Sequence, residues 1–243
     1  NELESWLGDK EGLLSWKMDG LTVVLTYENG QLLNAVTRGN GVVGEVITNN
    51  AKVFKKLPIS IPFKGHMVLR GEAVITYSEF EKINASLSEE EQYKNPRNLC
   101  SGSVRQLNNE ITAKRNVELY AFTLVEAEGV DFENSQKNKM EFMRKQGFQV
   151  VEYKLVTREN IAETVEWFSD KVKTNDFPSD GLVLLYDDIE YGNSLGSTAK
   201  FPRNAIAFKW ADEVAKTKLL EMEWSASRTG LINPVAIFEP VEL

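Results

Sequence analysis

The chain has 243 residues, 42% of them hydrophobic, a size that suits one large domain plus a remnant of another. A formal net charge of −8 excludes a protein that coats nucleic acid over its whole surface, since that mode needs a generally basic face. Cys100 and His66 are each alone of their kind, which excludes an internal disulfide and a Cys/His zinc site, so any metal would sit on oxygen ligands.

Residues 1–7 read as a short helical piece, followed at once by a strand. Within that strand, at 14–18, alternate side chains share a face. Ser15, Lys17 and Asp19 therefore point one way and Trp16 and Met18 the other, which sets an amine beside a carboxylate. Gly20 then lets the backbone come close to whatever the pair holds. In LTVVLTYENGQLLNAVTRG, Asn29-Gly30 separates two β-rich segments and predicts a tight hairpin. A helix is expected over 44–54, a strand at 67–76, and helices at 78–85 and 96–107. Ser78 precedes Glu81 by three, a capping-box spacing.

A strand at 117–126 follows, then a helix at 135–146 with Gly147 where a left-handed terminating residue belongs. The remaining pattern gives a strand at 149–155, a helix at 159–172, and strands at 181–187, 205–211 and 217–225. Hairpins mixed with isolated helices point to an α+β fold with antiparallel sheets rather than a doubly wound one. TKLLEMEWSASRTGLINPVAIFEPVEL starts new strands after Ala211 without a closing element, so the chain reads as an excised piece: a main domain at 1–213 and the start of another at 214–243. Apolar runs such as 21–25 are far shorter than the roughly 20 residues that cross a bilayer. The acidic opening NELESWLGDK is unlike a signal peptide, so a soluble, cytoplasmic protein with no membrane partner is expected.

KxDG alone is a short motif with a high chance rate. It is the succession KMDG, TRGNGVVGE, LRGEAV, NPRNLCSGSVRQL, LYAF, SDGLVLL and AIAFKW that resembles the adenylation domain of bacterial NAD-dependent DNA ligases. NPRN followed by GSVRQL, with the late SRTGLINPVAIFEPVEL, is particular to that family and not to ATP-dependent ligases or capping enzymes. The resemblance implies a covalent nucleotidyltransferase fold, antiparallel sheets flanked by helices, followed by the first strands of an OB-fold. It also implies NAD as the source of AMP, Mg2+ or Mn2+, and a monomer whose partners are NAD or AMP and, through the full-length protein, nicked double-stranded DNA. The expected product is a lysyl-AMP at Lys17, passed on to the 5′-phosphate of the nick.

Site roles follow from the same resemblance. Lys17 matches the nucleophile, and because a lysine amine is almost wholly protonated at neutral pH, the site must favour the free amine. Asp19 matches a carboxylate beside it that orients the amine or holds a metal. Arg38 matches an arginine on the ribose and the nick 5′-phosphate, and Glu72 a carboxylate that grips a ribose hydroxyl. Phe122 falls where the family stacks a tyrosine on adenine, and Lys209 matches the lysine on the α-phosphate. Arg97 and Arg105 match arginines of the NAD and nick chemistry.

By residue type alone, Glu72 and Arg38 are equally plain cross-strand partners, Phe122 core, Lys209 a solvated strand residue, and Lys94 to Arg115 a charged face. Four positions depart from the family pattern. Ser15 and Leu185 stand where the family has a glutamate and a lysine that read the adenine edge, and Asn40 and Val46 each stand in place of an aspartate. The family's segment for the nicotinamide mononucleotide half of NAD is not among these residues, so this piece is expected to react slowly with NAD. The other reading is a divergent paralogue, weakly active or inactive, that keeps the fold as a nucleotide- and nick-binding module.

Overall fold

Two stretches of alternating residues, 12–18 and 21–28, meet at Asp19-Gly20, and each seeds a different sheet. The computed structural model describes residues 2–39, 43–210, 216–226 and 230–241. It divides into one unit at Asn1–Lys209 and a second at Trp210–Leu243.

The first sheet of the larger unit has β1 (Gly12–Met18) at its centre, flanked by β6 (Tyr153–Val156) and β7 (Ser179–Tyr186), with β8 (Ala205–Lys209) beyond β7. The second sheet runs β3–β2–β4–β5, from β2 (Leu21–Glu28), β3 (Gln31–Thr37), β4 (Met67–Val74) and β5 (Glu118–Ala127). Every pairing in both sheets is antiparallel. Around them lie α1 (Glu2–Leu7), α2 (Thr48–Ala51), α3 (Tyr77–Ala85), α4 (Pro96–Ser103), α5 (Asn109–Lys114), α6 (Gln136–Lys145), α7 (Ile161–Lys171) and α8 (Ile189–Ser194). The α+β class with antiparallel sheets is the one the sequence predicts.

Local chemistry explains the elements that position the site. The β2–β3 hairpin turns at Asn29 and Gly30 with φ of 49° and 76°, the positive pair that a two-residue turn of this twist requires. On β1 the buried side chains Leu14, Trp16 and Met18 face the core, where Trp16 meets Phe168 of α7 edge-on at 4.7 Å. Fully burying side chains of this size is worth roughly 1.5–3 kcal/mol each, which fixes the register of the polar alternates on the other face. Gly20 carries the chain between sheets so close to β4 that a Cβ there would lie 2.1 Å from the Ala73 carbonyl oxygen.

Several expected boundaries move. The helix over 44–54 shrinks to α2, because 44–47 run along β3 instead: Thr37 N donates to the Glu45 carbonyl at 2.9 Å, Glu45 N to Thr37 Oγ1 at 3.0 Å, and Ile47 N to the Ala35 carbonyl at 2.8 Å. The helix over 96–107 ends at Ser103, and a separate α5 restarts on an Asn108 cap. The cap of α3 is Thr76, which accepts from Glu79 N; Ser78 is instead held by Asp176. The strand expected at 149–155 pairs with β1 only from Tyr153, running one residue further to Val156, while Val150 bridges Ala121 of β5. The helix at 135–146 is α6, capped by Ser135 and followed by Gly147 at φ +99°. The end of the strand at 205–211 and the 213/214 boundary lie outside the described residues, as does Asn40.

The second unit carries one antiparallel hairpin, β9 (Leu219–Ala226) and β10 (Ile232–Phe238), with Leu220, Trp224, Ile232 and Phe238 exposed. Among the described residues no helix is long and apolar enough to cross a membrane.

Candidate active site

Antiparallel register does the assembly. Lys17 of β1 lies opposite Gly181 of β7, and Gly181 lies opposite Lys209 of β8. Residues directly opposite share a sheet face, so the two lysines stand on the same side of a position that carries no side chain. That position must stay bare, since a Cβ on Gly181 would lie 2.0 Å from the Phe208 carbonyl oxygen. The ladder skips one residue between Lys17 and Met18: Met18 pairs with Ser179, leaving Asp180 unpaired as a bulge. A bulge re-aims the side chain it carries. Here it brings both Asp180 carboxylate oxygens to 3.2 Å from Lys17 Nζ.

Glu72 approaches from the other sheet. It lies opposite Thr22 on β2, whose hydroxyl donates to it at 2.8 Å, and Gly20 N donates at 3.3 Å. Burial raises the Glu72 carboxyl to about 7, despite the opposing pull of those two hydrogen bonds and of Lys17. An open cavity of about 240 Å³ is lined by Lys17, Asp19, Arg38, Glu72, Arg97 and Asp180 together with Met18, Gly20, Leu21, Thr22 and Gly39.

Five of the sequence-predicted residues, Lys17, Asp19, Arg38, Glu72 and Arg97, thus converge on one cavity. The amine and carboxylate expected side by side are not partners, however: Asp19 pairs with Arg97 at 3.6 Å, and the amine's carboxylate is Asp180. The cause is the bulge, which turns Asp180 toward Lys17 just where β1 ends. Lys209 is exposed and lies in register beyond Gly181, outside the cavity lining. Arg105 sits apart, with Nε donating to Glu45 at 2.8 Å and Nη1 donating to the carbonyl and hydroxyl oxygens of Ser101.

Ser15 lies opposite Val183, and Leu185 opposite Leu13, so the two are diagonal neighbours on the Lys17 face. Phe122 occupies a bulge of β5 opposite the Arg70–Gly71 step, half-buried and off the cavity lining. Cys100 is fully buried in α4, and His66 is a surface residue paired with Glu28.

Sequence reasoning missed Asp180, Thr22 and Arg70. The SDG turn at the head of a strand was the available signal for Asp180, but its partner lies 163 positions away. Arg70 shares the face of Glu72 two residues on, and its guanidinium is pulled below its usual range by burial and then by Arg38. The cations Lys17, Arg38 and Arg97 around the cavity, with Arg70 within electrostatic reach of Arg38, suit a phosphorylated ligand. Among the described residues, no three His, Cys, Asp or Glu side chains are grouped to hold a metal ion. Asp19 and Asp180 are engaged by Arg97 and Lys17, so the residues present do not form a protein cage for Mg2+ or Mn2+.

Residues 4–213 match the family model described as the NAD-dependent DNA ligase adenylation domain. A DNA ligase of Lachnoclostridium phytofermentans is 65% identical over 242 residues, which are 99% of this chain and 37% of that protein. A DNA ligase of Ruminiclostridium cellulolyticum is 62% identical over the same shares. The chain therefore spans a little over a third of the length of the curated relatives it matches. A solved structure named Pmar-Lig_Pre covers 99% of this chain and 55% of its own, at a TM-score of 0.52 and 13% identity, a likeness of fold alone.

Proposed function

The chain belongs to the NAD-dependent DNA ligase adenylation family, and from that membership we propose that it forms a covalent lysyl-AMP at Lys17, using NAD, for transfer to a DNA nick. The observation that carries this reading is the Lys17 amine held 3.2 Å from both Asp180 oxygens, on the same cavity as half-buried Glu72.

The chemistry follows from the placement of these groups. Asp180 is the nearest base to the Lys17 ammonium and takes its proton on toward solvent. The freed lone pair attacks the α-phosphorus of NAD. An N–P bond forms, the P–O bond to nicotinamide mononucleotide breaks, and that group leaves with the electron pair on its phosphate. The nitrogen sheds a second proton and becomes a phosphoramidate. Lys209, on the same face across Gly181, and Arg97 offset the charge on the non-bridging oxygens. Glu72 accepts from ribose hydroxyls, which favour its ionised form over the neutral one that burial promotes. In the next step a 5′-phosphate oxygen of the nick attacks the same phosphorus, the N–P bond breaks, and Lys17 recovers the pair and a proton. Arg38 and Arg105 suit the nick phosphate. The second unit's strands are read as the first of an OB-fold, with nicked duplex as partner of the full-length protein.

Intact-mass measurement of the full-length protein with NAD and magnesium tests the reading. An AMP-sized addition that Lys17→Ala abolishes is expected; adduct persisting in that variant would sink the assignment.

A further inference from the structure

The bulge that aims Asp180 is held by a side chain with no role in the reading so far. Ser179 Oγ lies 2.9 Å from the Lys17 carbonyl oxygen and 3.0 Å from the Gly181 carbonyl oxygen, so its one proton is shared between the two residues that pair on the far side of the irregular step from Ser179 itself. On the other side Asp19 N donates to the Pro178 carbonyl at 3.0 Å. Residues 178–181 thus grip the nucleophile's strand at successive points: the backbone of Asp19, the carbonyl of Lys17, and the amine of Lys17 through Asp180. Where a bulge interrupts a ladder, the backbone on either side loses a pairing contact. The Ser179 hydroxyl supplies one in its place. A residue with no donor at 179 leaves the Lys17 carbonyl without this bond and the bulge free to relax, and with it the angle between the Lys17 amine and the Asp180 carboxylate.

The geometry points to Ser179 as a positioning residue for the lysine nucleophile: its hydroxyl pins the bulge that sets Lys17 against Asp180. This inference rests on the reading of Lys17 as the adenylated residue. It calls for a loss in the rate of AMP transfer and not in nucleotide affinity, because Ser179 faces backbone carbonyls and does not line the cavity. Misplacing a reacting group by a fraction of an ångström is enough to slow such a reaction by an order of magnitude or more.

The test compares Ser179→Thr, which keeps the hydroxyl, with Ser179→Val, which has nearly the same shape without it, in the full-length protein. Ser179→Ala is the second hydroxyl-free variant should valine fail to fold. Single-turnover formation of the Lys17 adduct is followed across NAD concentrations, with thermal midpoints measured alongside. Threonine is expected to stay within about threefold of wild type, and valine and alanine to slow adduct formation about tenfold with KM for NAD within twofold. Equal rates for the threonine and hydroxyl-free variants, or a loss confined to the thermal midpoint, would overturn the positioning role while leaving the adenylation reading intact. A wild type that forms no adduct would overturn that reading and this inference with it.

Discussion

The two ends of the polar face of β1 differ in kind. At the Lys17 end charges come in engaged sets: Lys17 with Asp180, Asp19 with Arg97, and Glu72 with Thr22 and Gly20. Two residues back on the same face, Ser15 has Leu185 as its diagonal neighbour and neither carries charge. In the resemblance these two positions hold a glutamate and a lysine. Removing one member of such a pair would strand a charge at a cost of about 3–5 kcal/mol, whereas replacing both is nearly neutral for stability. Charge is therefore concentrated at one end of this face and absent two residues away, at the positions where the resemblance implies contact with the base.

Three measurements bear on the contrast beyond the Lys17 substitution. The largest effect is expected for Asp180→Asn, which keeps the shape but offers no base: single-turnover adduct formation should fall roughly a hundredfold. A variant within threefold of wild type would show that the 3.2 Å contact is a resting ion pair only.

Glu72→Gln comes next, and its sign is set by burial. The folded carboxyl, raised to about 7, binds its proton more tightly than in the unfolded chain, so its contribution to stability is full at low pH and is lost as pH rises through 7. Between pH 6 and 8 the wild type should lose about 1 kcal/mol of stability relative to Glu72→Gln. Calorimetric unfolding at both values checks this, and parallel behaviour of the two proteins would contradict it.

The smallest effect belongs to the uncharged end. Calorimetry with AMP, GMP and IMP should find the wild type weakly selective, and Ser15→Glu/Leu185→Lys about tenfold more selective for AMP. If the wild type already prefers AMP a hundredfold and the double variant gains nothing, the two ends do not differ as described.

What the sequence made legible tracks how local each cause is. Alternation around Lys17 and the Asn29-Gly30 turn depend on neighbours within a few positions, and both stand in the structure as read. The pairing of Lys17 with Asp180 depends on a one-residue bulge between strands some 160 residues apart, which no periodicity encodes. The helix over 44–54 failed for a similar reason: Thr37, seven residues upstream of Gly44, claims the backbone of Glu45 and pulls it along the sheet edge. At α3, Thr76 and Ser78 both offer a capping-box spacing, and Asp176, 98 residues from Ser78, decides between them. The six-residue helices α5 and α8 are too short for a 3.6-residue repeat to declare itself, although their Asn108 and Asp188 caps are plain once seen.

Cys100 turns the seam behind Glu72 into a gauge. The chain's one thiol is fully buried, donates to the Ala73 carbonyl at 3.2 Å, and is driven upward in pKa by burial. That same carbonyl oxygen is the one Gly20 crosses. A thiol reagent therefore reaches Cys100 only when α4 lifts from β4, so the labelling rate, set against that of a free thiol, counts how often this wall opens. A nucleotide gripped by Glu72 should lower that count, giving a clock for occupancy that needs no turnover and no label on the ligand.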